Sequence, residues 1–155
     1  MVHNEIRIKI NILKMNLTNH FSLQELTNSA TAKRLKIDNT PNDSIIKELQ
    51  EVANMLEKIR IVYGKPIIVT SGYRCTKLNN AVGGSKTSQH VKGQAADIRT
   101  ISDLPEDNKK LFDLIVEMGK QNQIKWGQLI DEYNYNWIHI STPKLKTNNQ
   151  ILHIK

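Results

Sequence analysis

Read from its sequence, the chain is expected to use no disulfide staple, membrane anchor or export signal. It has a single cysteine, Cys75, so no disulfide can close within its 155 residues and folding needs no oxidising compartment. No histidine-bearing nucleophile signature surrounds Cys75, which leaves it as a small, partly buried side chain. No apolar run approaches the ~20 residues that cross a bilayer, so no membrane partner is expected. The opening MVHNEIRIKINILKM alternates charged and apolar residues and has no apolar core of the export-signal type. Aromatic residues make up 5% of the chain, and no basic run is interleaved with them. That excludes the usual signature of a single-strand nucleic-acid binder, although the formal net charge is +7. A basic surface of this kind suits an anionic polymer, and charge alone does not say which one.

What is present reads as one domain over residues 1–155, without repeats, low-complexity tracts or linkers. Residues 1–14 are either an edge strand or an extension ahead of Met15, and residues 142–155 form a tail without an assigned role. Ser22 and Glu25 have the spacing of a capping box and open a short helix towards Asn28 or Ala30. Ile45, Leu49, Val52, Leu56 and Ile59 recur at helical spacing and predict a core-facing helix from Asp43 to Val62, stopped by Gly64. A second helix is expected from Pro105 to Gly119, with Leu111, Leu114, Ile115 and Met118 as its stripe. Strands are expected at 66–70, 94–99, 126–130 and 137–141, the last two joined as an antiparallel hairpin. The 75–90 segment is polar, contains Gly83-Gly84 and reads as a loop with room for one helical turn. Strands and helices do not alternate as βαβ units, so the fold class is α+β, a small antiparallel sheet with helices packed on one side.

Three side chains of zinc-ligand type sit at the edges of these strands. His90 and Asp97 lie in Ser88-Gln89-His90-Val91-Lys92-Gly93-Gln94-Ala95-Ala96-Asp97, where Gly93 lets the chain turn sharply between them. His139 arrives from distant sequence in Trp137-Ile138-His139. Two imidazoles and a carboxylate are the donor set of a catalytic zinc that keeps one position for water. His3, His20 and His153 have no such setting and read as surface or packed residues. The H-E-x-x-H helix of many zinc peptidases is absent.

The segment VTSGYRCTKLNNAVGGSKTSQHVKGQAADI, from Val69 to Ile98, resembles the metal-binding region of the Hedgehog-type zinc peptidases. That family holds D-alanyl-D-alanine carboxypeptidases and L-alanyl-D-glutamate endopeptidases. Ser88, His90, Gly93, Ala95 and Asp97 match its pattern Ser-x-His-x-x-Gly-x-Ala-x-Asp, and Trp137-Ile138-His139 matches its later Trp-x-His. The likeness to a short phage and prophage endolysin branch runs from about Phe21 to Ser141. It implies one Zn²⁺ on His90, Asp97 and His139, and peptidoglycan as the partner of a monomeric enzyme. It also implies an enzyme made in the cytoplasm that reaches the wall after phage or prophage lysis, or in a virion.

The resemblance further implies a carboxylate that serves as general base and then acid. Where many members carry Glu-x-x-His, this chain has Asn136. In the resembling branch a Gln-x-x-x-Glu stretch precedes Trp-x-His, and Gln128 to Glu132 matches it, so Glu132 is the first candidate and Asp131 the second. Arg74 is implied as a catalytic or substrate-binding cation, with Ser88, Gln128 and Trp137 as further substrate contacts. Whether the enzyme trims a terminal D-alanine or cuts inside the stem stays open. An inactive zinc-containing wall-binding module is the competing reading, since the acid–base carboxylate is displaced.

Overall fold

A computed structural model describes residues 2–144 and 148–155. The elements run α1 (Val2–Leu13), α2 (Ala30–Arg34), α3 (Asp43–Tyr63), β1 (Ile67–Ser71), α4 (Thr76–Ala81), a 3-10 turn (Gln89–Lys92), β2 (Ala95–Thr100), α5 (Pro105–Lys120), β3 (Gln128–Glu132), β4 (Trp137–Ser141) and β5 (Gln150–Ile154). The strands form one sheet in the order β1-β2-β4-β3-β5. The α+β class is as the sequence implied.

The long helix α3 forms for the reasons its sequence carries. Asn42 caps it, its side chain accepting from the Ile45 amide at 2.9 Å, and Gly64 ends it in the left-handed conformation at φ 72°. Its buried stripe of Leu49, Val52, Ala53, Leu56 and Ile59 packs with Leu111, Phe112, Ile115 and Met118 of α5. Both helices cover the sheet face formed by Ala96, Ile98, Leu129, Ile138 and Ile140. Because side chains alternate along a strand, the residues between these point to the opposite face. Asp97, His139, Ile130 and Glu132 fall there, and the antiparallel registers Asp97↔His139 and Ile130↔His139 align them.

Four regions differ from expectation. The 75–90 segment, expected as a polar loop, carries α4 over Thr76–Ala81 and the start of the 3-10 turn. Residues 2–13 are helical, not an edge strand. Alternating isoleucines are scattered around a helix, so Val2, Ile6, Ile8 and Ile10 stay exposed while Ile12 packs against the core. The Ser22–Glu25 capping box forms, with Glu25 accepting from the Ser22 amide at 2.8 Å, but only turns follow it before α2. The tail supplies β5, which pairs parallel to β3 in an otherwise antiparallel sheet. β4 ends beside the start of β3, so a strand that turns straight back on the far side of β3 must run parallel to it.

The β3–β4 turn is built from strained backbone. Tyr133, Asn134 and Tyr135 have φ of 50°, 57° and 64°, a conformation that non-glycine residues seldom adopt. Asn108, fully buried on α5, holds it. Its amide donates to the Tyr135 and Asn136 carbonyls at 2.9 and 3.2 Å, and its oxygen accepts from the Thr100 amide at 2.8 Å. Replacing it strands several buried polar groups, each worth about 1–3 kcal/mol. Asn108→Leu is expected to lower unfolding free energy by about 2–4 kcal/mol in urea titrations; a loss under ~0.5 kcal/mol would show that water replaces the amide.

Candidate metal centre

His90 is carried on the 3-10 turn, Asp97 on β2 and His139 on β4. Each offers one ligand atom, and the three atoms lie within 4.8 Å of one another. The Asp97 Oδ1 is 3.2 Å from His90 Nε2 and 3.0 Å from His139 Nδ1. Both imidazoles are buried.

The other ring nitrogens decide what points inward. His90 Nδ1 lies 2.7 Å from the Gly72 carbonyl, which can only accept, so Nδ1 carries the proton and neutral Nε2 presents a lone pair. His139 Nε2 lies 3.0 Å from Gln89 Oε1 and donates to it in the same way, leaving the Nδ1 lone pair inward. Two lone pairs and a carboxylate thus converge. That arrangement needs positive charge at its centre, from ring protons or from a metal ion. Ligand atoms around a tetrahedral zinc stand about 3.3–3.6 Å apart, given bonds of about 2.0–2.2 Å, a few tenths of an ångström wider than the 3.0 and 3.2 Å separations here. The donor set and its spacing therefore fit zinc. Burial alone would push the Asp97 carboxyl up, but His139 and His90 carrying inward protons outweigh it and hold the group well below the usual carboxylate range.

Two glycines make the arrangement possible. Gly72 passes so close to Leu26 that a Cβ would collide with its carbonyl. Gly93 ends the 3-10 turn at φ 68°, where a Cβ would come 2.9 Å from Ile45 Cγ2.

Residues 19–141 match the family described as Peptidase M15. The chain belongs to the Peptidase M15 family. A comparison with curated proteins returned no match. M15 peptidases are zinc-dependent, and the His-Asp-His cluster is compatible with that metal. The three cluster residues lie within the matched span of this M15 chain, whereas α1 and β5 lie outside it. No helix among the described residues is long and apolar enough to cross a membrane.

Around the M15 cluster, the other sequence candidates separate. Arg74 lies close by: its guanidinium is 3.4 Å from Ser71 Oγ and 3.5 Å from Ser88 Oγ, and its Nε is buried without a partner. Burial pulls the Arg74 guanidinium below its usual value, and Asp97 opposes that shift. Ser88 also accepts from the His90 amide at 3.3 Å. Glu132 shares the cluster's face one rung from His139, opposite Trp137. Burial pushes its carboxyl above the usual range; His139 works against that shift, and Asp97 and Asp131 add to it.

Asp131, the second candidate base, is on the wrong face. Its register partner is Ile138, and its buried carboxylate accepts from the Tyr135 amide and meets His153 Nδ1 at 3.2 Å. Strand alternation excludes it from the cluster face and makes it a turn-holding residue. Gln128 reaches away from the cluster, donating to Gln150 Oε1 at 2.7 Å. His20 pairs with Glu57 at 2.6 Å, away from the cluster; the His3 side chain is outside the described set. Gln89 was not singled out from sequence. Its place next to His90 on a tight turn was the available signal, since that turn swings it over to His139.

Proposed function

We propose that the protein is a zinc peptidase that hydrolyses amide bonds in the stem peptides of bacterial peptidoglycan. The carrying observation is the inward convergence of His90 Nε2, His139 Nδ1 and the Asp97 carboxylate, with both outer ring nitrogens anchored. Zinc held by these three would supply a Lewis acid and lower the pKa of a water. Glu132 takes the proton from the attacking water and returns it to the leaving amine. The raised carboxyl of Glu132 suits both halves of that exchange. Arg74, whose terminal guanidinium nitrogens make only long contacts to Ser71 and Ser88, offers donors to the substrate carboxylate or to the oxyanion that forms as water adds. The basic surface, at net +7, favours an anionic wall.

Elemental analysis of the purified protein should give one zinc per chain, and incubation with purified peptidoglycan should release new amino termini. Stoichiometric zinc without new termini would instead support a wall-binding module.

Gln89 has a measurable part in this scheme. An outer hydrogen bond that fixes the tautomer of a metal-bound histidine is worth about 10–100-fold in metal affinity. Gln89→Ala is expected to weaken zinc binding by about that factor in competition with a chromogenic chelator. Affinity equal to wild type would remove Gln89 from the support of His139.

A further inference from the structure

The strained β3–β4 turn presents one large side chain to solvent. Tyr133, 50% exposed, lies tilted against Trp137 with ring centroids 5.2 Å apart and planes at 48°. Trp137 lies across the hairpin from Glu132 and two residues from His139, so the aromatic pair borders the metal cluster. The chain spends few aromatics, 5% overall, yet places two of them here. Much of the surrounding structure keeps Tyr133 in place. Asp131 accepts from the Tyr135 amide, Asn108 donates to the turn carbonyls, and Phe112 meets the Tyr135 ring edge-on at 5.5 Å. The Tyr133 amide itself donates to the Ile154 carbonyl of β5 at 2.7 Å. Left-handed backbone at a bulky residue persists only where neighbours over-determine it, and such sites cluster at ligand clamps.

We infer that Tyr133 and Trp137 form a platform for a pyranose ring of the glycan strand, which directs cleavage to the first amide bond of the stem. This rests on the peptidoglycan reading above. Stem peptides offer methyl groups, carboxylates and amines, with nothing that fills a wedge of two aromatic rings. The broad apolar surfaces of that polymer are the C–H faces of its sugars. Spacing then selects the bond. Trp137 and His139 are two strand residues apart, roughly 6.6 Å. The amide between the first and second stem residues is one residue from the sugar's lactyl group. The bond between the terminal D-alanines is three residues further out, roughly 10 Å more in extended chain. With a sugar seated on the platform, the near bond meets the cluster and the far one overshoots it. The activity is therefore of the L-alanyl-D-glutamate endopeptidase type.

The test compares a disaccharide-pentapeptide with the same pentapeptide lacking sugars, using the zinc-loaded full chain and mass spectrometry of the products. Wild type is expected to cut the first stem bond with kcat/KM about tenfold higher on the sugar-bearing substrate, the scale of one aromatic stacking contact. Tyr133→Asn removes the ring but tolerates left-handed backbone, and should bring the ratio near one; Tyr133→Phe should keep it. A wild-type ratio near one, a ratio unaltered in Tyr133→Asn, or release of terminal D-alanine alone overturns the inference. If neither substrate is cut, the peptidase reading fails, and the platform is judged by binding of N-acetylglucosamine oligomers. Trp126 is buried, so a saturable fluorescence change reports Trp137. Such a change, lost in Tyr133→Asn, supports the platform, and its absence in wild type overturns it.

Discussion

Glu132→Gln should retain one zinc per chain and lose roughly 10²–10⁴-fold in kcat, the usual contribution of a positioned general acid–base. The substitution preserves size and removes the charge and the capacity to take up a proton. Glu132 is not among the three atoms that converge at the cluster, so metal content should not follow activity. The pH profile adds an independent check. A base works when ionised, so activity falls on the acid side as pH drops through its pKa. Burial places the Glu132 value above the ordinary ~4.3, and a bound cation pulls it back. The acid limb of kcat should therefore contain a step that Glu132→Gln abolishes. Turnover at the wild-type rate in that variant would remove Glu132 from the proposed mechanism.

The parts of the molecule legible in the sequence are those where local pattern and tertiary packing agree. The stripe of Leu49, Val52, Leu56 and Ile59 predicted α3, because burial of one helix face is the force that shapes both the pattern and the element. The Trp137–Ser141 strand was equally clear, since its alternation sends Ile138 and Ile140 to the core and His139 to the opposite face. The same alternation, applied one residue at a time, would have separated Glu132 from Asp131, but only after β3 was shifted from 126–130 to 128–132. A strand boundary misplaced by two residues hid which of two adjacent carboxylates faced the metal ligands. The N-terminal segment misled for a different reason. Its alternation suits a strand, yet among the described residues it has no strand partner, and it is helical with its isoleucines exposed. β5 was unreadable because its pairing with β3 depends on where the chain after Ser141 crosses, not on any turn signal. Gln89 and the Gly72 carbonyl were hidden because an outer hydrogen bond to a ligand has no spacing rule.

Stripping the metal with a chelator should abolish hydrolysis and lower Tm, and added zinc should restore both. A ligand present at a thousandfold its Kd stabilises by about 4 kcal/mol, which for a chain of this size is roughly 8–16 °C in Tm. The metal-free cluster also has an internal cost, since two inward lone pairs face a carboxylate at 3.0 and 3.2 Å. Protons can replace the ion there, and the number taken up identifies the ligands. Asp97 is held well below the usual carboxylate range, so it stays ionised whether the charge opposite is a metal or protonated imidazole. Competition between proton and metal therefore falls on the two rings. Where acid puts a proton on each ring, log Kd for zinc should rise by about two units for every unit that pH falls. A slope near one would mean that one histidine is not a ligand. A Kd that does not change down to strongly acid pH would mean that neither is, and the peptidase mechanism built on them would go with it.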